Sequence, residues 1–250
     1  MTDAPAGTEA EHTPEAIRQR LARGPARSYL RDVVYGAVDG VVTTFAVVAG
    51  VAGAGLDAEI VVILGVANLV ADGFSMAASN FLGVRSEQQR HQRLRRQEEH
   101  EVAVMPAGER EEVRQLLAGW DLHGGLLDRV VDAICADRDR WVELMMRFEH
   151  GVSPSPARPG RAAVATFAAF IVAGAVPLAP FGVDLLPGAA VASAFAWSTV
   201  MTAAAFFVVG AAKGVVVARS WWRSGFETLV VGGAAAALAY AVGTALGGLA

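Results

Sequence analysis

Two aspartates, Asp39 and Asp72, each stand alone inside a long apolar stretch, 33–56 for the first and 60–84 for the second. An ionisable side chain at such depth in hydrocarbon costs at least ~2.5 kcal/mol on insertion scales, so neither is there for stability. No basic residue lies in either stretch to pair with them, which favours a route for protons or cations over a buried ion pair. Asn68 lies one helical turn before Asp72 and Met76 one turn after it, so at i, i+4 and i+8 the three share a face. Carboxylate and amide oxygens suit hard divalent ions, and a thioether adds affinity for softer transition metals. The mixed column points to Fe(II) or Mn(II) rather than Mg(II) or Ca(II). A carboxylate removed from water holds a proton until a metal displaces it, so exchange of metal against protons follows from the same groups.

A second set of donors lies in the polar middle of the chain. Glu98 and Glu101 are three apart, as are Glu109 and Glu112. Each pair presents two carboxylates on one helical face, and two such pairs on adjacent helices can close around divalent ions. The competing reading is that they form a solvated surface, the usual role of glutamates on a helix. Met145, Met146 and Glu149 strengthen the metal reading. Two adjacent methionines are not expected to face the same core, and Glu149 is one turn from Met145, so at least one sulfur should join a carboxylate. The histidines, His12, His91, His100, His123 and His150, all fall in polar segments and say less, and the paired Glu-x-x-His motifs of di-iron bundle enzymes are missing. No GxxxxGK[ST], HExxH, GxSxG or CxxC occurs, so no catalytic residues are expected, and neither an ATP-driven pump nor a hydrolytic or redox enzyme.

The scaffold that must position these groups is legible in the composition. The 250 residues are 54% hydrophobic and 18% charged, with mean hydropathy +0.39. Uncharged runs cover 162–183, 185–212 and 228–250, each long enough to cross a ~30 Å hydrocarbon core as a helix. With the stretches around Asp39 and Asp72, they predict an all-α membrane protein of five transmembrane helices. Cys135 is the single cysteine and the net charge is -4, so an intrachain disulfide is excluded and the basic footprint of a nucleic-acid binder is missing. Residues 1–32 carry Arg18, Arg20, Arg23, Arg27 and Arg31 without an apolar h-region. They read as a mobile cytoplasmic tail with an amphipathic stretch, not as a cleavable signal peptide.

All 21 Lys and Arg fall in that tail, in 85–161 or in 213–223, and the connections at 54–59 and 180–187 carry none. Positive segments beside a span resist translocation, so the N-terminus is expected in the cytoplasm and the C-terminus outside. Residues 33–85 then hold helices one and two, and 161–250 hold helices three to five. Between them 86–150 forms a small helical cytoplasmic domain, followed by a Pro-stiffened linker at 151–160. Nothing after Val84 stops a helix before Pro106, so span two should continue as a cytoplasmic stalk. Apolar residues at three-to-four spacing in EREEVRQLL, LLDRVVDAIC and DRWVELMMRF predict three more helices. Gly36 with Gly40 and Gly243 with Gly247 make GxxxG spacings that permit close helix approach. Lys213 and Glu227, at the cytoplasmic ends of spans four and five, should snorkel or pair across the turn between them.

The segments YGAVDGVVTTFAVVAGVAGAG and LGVANLVADGFSMAASNFLGVRSE resemble the first two spans of the vacuolar iron transporter (VIT) family, and RWVELMMRFEHG resembles the end of its cytoplasmic metal-binding domain. The likeness extends from about Arg27 to the end of the chain. It implies a homodimer of five-span protomers with a pore at the interface, moving Fe(II), and often Mn(II), out of the cytosol in exchange for protons. It also implies that Asp39 and Met76 are pore residues, and that Glu98, Glu101, Glu109, Glu112, Met145 or Met146, and Glu149 bind metal in the cytoplasm. Where well-studied iron transporters carry a glutamate eight residues before the methionine, this chain has Asn68, and Asp72 is expected to take over part of that role. The resulting expectation is a proton-coupled exporter of divalent metal, with no covalent cofactor, whose partners are the bilayer, its substrate ions and a second copy of itself. An Ala-, Arg- and Gly-rich composition with a single Lys suggests a bacterial plasma membrane. The rivals are a membrane-anchored metal sensor or buffer and a membrane-bound di-iron oxidase.

Overall fold

The computed structural model describes residues 13–23, 28–152, 158–186 and 193–246. His12 and half of the N-terminal tail, the middle of the expected linker, residues 187–192 and Gly247 lie outside these. Among the described residues every regular element is a helix. Helix α1 (Pro14–Arg23) falls on the amphipathic stretch of the tail. Helix α2 (Leu30–Gly53) follows, and Gly55, at φ +73°, turns the chain into α3 (Ala58–Val104).

Helix α3 is uninterrupted for 47 residues, about 70 Å at 1.5 Å per residue. It ends where its sequence dictates. Pro106 has no N–H to continue the ladder and pushes the residue before it out of the helical region, and Met105 sits at φ -127°, ψ 49°. The same proline opens α4 (Pro106–Ala118) at the first-turn position. Helices α5 (Gly124–Cys135) and α6 (Arg138–Phe148) complete the three that the apolar spacing predicts, and Asp137 caps α6 by accepting from the Arg140 N–H at 3.1 Å. Helices α4 and α6 pack against the far end of α3, and α5 packs on both of them, around their own apolar cluster, which includes Val102, Val113, Leu117, Val131, Trp141 and Val142.

The remaining helices are α7 (Pro159–Gly174), α8 (Ala179–Asp184), α9 (Ala194–Val216) and α10 (Trp221–Leu246). Four helices, α2, α3, α9 and α10, are long and apolar enough to cross a membrane. The third apolar run departs from expectation: it is not one helix but the 16-residue α7 and the short α8, separated by a turn at 175–178. Pro177 and Pro180 cause the break, because neither can donate to the carbonyl a turn earlier. Helix α2 is the central strut, touching α3, α7, α9 and α10, and its Phe45, Val48 and Ala49 meet Leu69 of α3 and Phe170 of α7 in a second apolar cluster.

Glycine sets how closely these helices approach. A methyl group on Gly36 or Gly40 would run into the backbone carbonyls of Thr166 and Phe170 on α7, and one on Gly243 would run into Gly50 of α2. In lipid, where apolar burial drives little association, such backbone contact is a main source of packing energy. Gly40→Ala is expected to destabilise the protein by ~1–3 kcal/mol, the scale of an overpacked interior. Gly233→Ala, where nothing lies within 4 Å, should be neutral, and thermal unfolding of both variants in detergent checks the contrast. At the other end of α9, Lys213 pairs with Glu227 of α10 at 3.8 Å.

Candidate metal centre

Helix α3 carries both sets of donors. In its apolar half, Asn68, Asp72 and Met76 follow one another at four-residue steps, all half-buried, beside the buried residues Leu69, Gly73 and Ala77. Helix α2 brings the half-buried Asp39 to the same place, close enough to Asp72 for the two carboxylates to interact electrostatically. Among the described residues no Arg, Lys or His forms an ion pair with either aspartate. Two like charges facing each other in an apolar surround create a place for a cation. The Met76 side chain packs against the cluster of Leu69 and Phe170, and the Asn68 amide nitrogen is buried with no acceptor.

One further turn along the same face lies a residue that sequence reasoning passed over. The Asn80 amide donates to Asp32 Oδ1 of α2 at 2.9 Å and reaches Thr166 Oγ1 of α7 at 2.7 Å. This buried link ties α2, α3 and α7 together beyond Met76. The signal was present, because Asn80 continues the step from 68 to 72 to 76 and Asp32 stands two turns before Asp39.

The second centre gathers at the far end of α3. Glu98 is 1% exposed, its Oε1 accepts from His150 Nε2 at 2.8 Å, and its Oε2 has no partner. Glu109 of α4 is 5% exposed with Oε2 likewise unpartnered. Donor atoms of Glu98, Glu149 and His150 lie within 4.8 Å of one another. Glu112 and Glu149 border one groove, and the charges of Glu98, Glu101, Glu112 and Glu149 all act on Glu109.

The arginines of this region are spent elsewhere. Arg95 pairs with Glu99, Asp139 and Glu143, Arg110 with Asp132, and Arg114 with Glu111 and Asp128. Among the described residues no arginine or lysine pairs with Glu98, Glu101, Glu109, Glu112 or Glu149. Ordinary surface glutamates would share in those ion pairs; of these five, Glu98 accepts from His150 and Glu101 accepts from Gln97 Nε2 at 3.2 Å.

The methionines correct the sequence reading. Met145 and Met146 are 0% and 2% exposed, and both belong to the apolar cluster. Helix α6 is wedged between α3 and α5, so two adjacent positions, about 100° apart around the helix, both find apolar neighbours. Only Met145 also borders an open groove of about 380 Å³ with Glu112, Gln115, Leu116 and Glu149. Of the two sulfurs, it is the one set beside carboxylates.

The cost of gathering acids appears in their affinity for protons. Burial, then the charges of Glu112 and its other acidic neighbours, push Glu109 up to about 7 from an ordinary 4.5. Burial also raises Glu98, against the opposing hydrogen bond from His150, and raises Glu112. The folded chain therefore binds these protons more tightly than the unfolded chain does. Their contribution to stability is full below the ordinary value of 4.5 and is lost as the pH rises through about 7. In metal-free buffer the melting temperature is expected to fall between pH 5 and pH 7.5, and a divalent metal at pH 7.5 should restore it by replacing the lost protons. A thermal-shift series over pH, with and without Mn(II), checks this.

Comparison with known proteins finds relatives along most of the chain. The chain is 33% identical over 216 residues to "Vacuolar iron transporter 1" of Arabidopsis thaliana, covering 86% of this chain and 85% of that protein. It is 31% identical over 222 residues to the protein of the same name from Tulipa gesneriana, covering 88% of each. Over 231 residues it is 30% identical to "Vacuolar iron transporter" of Toxoplasma gondii, covering 87% of this chain and 74% of that protein. These relatives are transporters, not enzymes. The VIT family profile matches residues 30–244. With most of its length covered by that match and with relatives at 30% identity or more, this multi-pass membrane protein belongs to the VIT family.

Proposed function

We propose that this protein exports Fe(II), Mn(II) or both from the cytosol in exchange for protons. The glutamates of the cytoplasmic bundle capture the metal, and Asp39, Asp72 and Met76 pass it through the membrane. Asn68 supplies a neutral oxygen where a further charge would hold the ion more tightly. The observation that carries this reading is the pair of carboxylate clusters strung along helix α3, Asp72 with Asp39 of α2 and Glu98 and Glu101 with Glu109 and Glu112 of α4 and Glu149, neither paired with an arginine or lysine among the described residues.

In this reading α7, the turn at 175–178 and α8 together make the third of five spans, and 86–150 is a cytoplasmic domain inserted between the second and third. The N-terminus is inside and the C-terminus outside, in a bacterial plasma membrane. The protein works as a homodimer whose pore lies at the interface. Two features of the single chain support the dimer. Asp39, Asp72 and Met76 are only half-buried, so a second copy can close the open side of the column. On α3 itself, Ile63, Val70 and Phe74 are more than half exposed, an apolar face that a partner or lipid must cover.

Reconstituted vesicles test the proposal. With the pH gradient set to drive exchange, Fe(II) or Mn(II) should cross the membrane, and collapse of the gradient should slow it. Metal binding without flux would replace the exporter by a membrane-anchored buffer or sensor.

A further inference from the structure

The donor set of the cytoplasmic centre includes one side chain of a different kind. His150 lies just past the end of α6, where its N–H bonds back to the Met145 carbonyl at 3.3 Å and the chain turns away through Gly151 at φ +63°. The imidazole is thereby held over Glu98, with Nε2 2.8 Å from Oε1. Two donors bound at right angles to one six-coordinate ion, each about 2.1 Å from it, stand ~3 Å apart, and opposite donors stand ~4.2 Å apart. The Glu98 and His150 atoms already have the first spacing. The 4.8 Å limit that encloses Glu149 is within side-chain adjustment of the second. An independent sign of a ligand is the pair of orphaned oxygens: Glu98 and Glu109 are at least nine-tenths buried, and Oε2 of each has no hydrogen-bond partner. A buried carboxylate oxygen without a partner is costly unless something else occupies its lone pairs.

We propose that His150 is a metal ligand, together with Glu98 and Glu149, and that its nitrogen sets the selectivity of the cytoplasmic centre. This rests on the reading that the cluster captures metal, and adds which metals it prefers. An all-carboxylate site favours hard ions such as Mg(II), Ca(II) and Mn(II). An imidazole donor strengthens binding of Fe(II), Co(II) and Zn(II), which gain more from nitrogen. The bundle thus disfavours Mg(II) and Ca(II), the abundant hard cations, before they reach the membrane column, while it still admits Mn(II).

The full-length protein in detergent, titrated separately with Co(II), Zn(II) and Mn(II), tests this. His150→Gln is expected to weaken Co(II) and Zn(II) binding at least ~10-fold, the scale on which metal sites respond to loss of a supporting group. Mn(II) affinity should change much less. Pulsed EPR of the Mn(II)-loaded wild type should show coupling to an imidazole nitrogen, and the variant should lose it; this spectrum does not depend on the variant folding well. Wild-type protein that binds metal without nitrogen coupling, or a variant with unchanged Co(II) affinity, would overturn the proposal and leave the carboxylate centre intact. Wild-type protein that binds none of the three metals at the cytoplasmic bundle would overturn both.

Discussion

Asp39→Asn is expected to lower proton-driven metal flux ~100-fold or more in reconstituted vesicles. The amide keeps the size and most of the hydrogen-bonding capacity of the carboxylate, so the change removes charge and little else. With Asp39 neutral, the column offers a divalent ion fewer negative charges, and loss of one partner from a charge pair removed from water costs ~3–5 kcal/mol. At 1.4 kcal/mol for each factor of ten, that is about two to three and a half orders of magnitude in occupancy. The proton route fails as well, because an amide cannot take up from solution the proton that replaces the departing metal. Met76→Ala should also lower flux strongly, but it opens a cavity beside Phe170 and Leu69, so Met76→Leu is the sharper test: it keeps the volume and removes only the sulfur. Wild-type flux in both Asp39→Asn and Met76→Leu would show that the ion takes another path.

Replacing Glu98, Glu101, Glu109 and Glu112 together by Gln is expected to abolish calorimetrically detectable metal binding at the α4–α6 bundle of the full-length protein. Four charges leave a centre that no arginine balances, so the substitution relieves repulsion in the metal-free state while removing the ligands. The two effects separate in one experiment. Without metal the variant should melt higher than the wild type at pH 7.5 and about equally at pH 5, because the Gln side chains no longer lose a proton as Glu109 does near 7. With metal the wild type should gain stability and the variant should not. Equal affinities in the two proteins would reduce these glutamates to a solvated surface.

What could be read from the sequence follows from how local each determinant is. The length of α3, its stop at Met105 and the start of α4 depend on one proline and an absence of others, which a linear reading captures. Helices α4, α5 and α6 follow from apolar spacing in the same way. The break between α7 and α8 was also written locally, in Pro177 and Pro180, but the uninterrupted lack of charge over 162–183 hid it. The burial of both Met145 and Met146 was out of reach, because it depends on α6 having apolar neighbours on two sides. His150 was passed over for a similar reason: its partner Glu98 is 52 residues away in the chain, and no spacing rule links them. The convergence of Asp39 and Asp72 likewise depends on α2 lying against α3, which composition allows but does not specify.

Between Asp72 and Glu98 helix α3 contains no proline, and the two positions stand ~39 Å apart along its axis. A rod of that kind works as a lever. If closure of the glutamates around an ion tilts it by about 1°, the distant aspartate moves ~0.7 Å sideways, which matters for a coordination bond of about 2.1 Å. Loading at one end and release at the other are in that case a single mechanical event, and inserting a flexible joint near Gly83 would uncouple them.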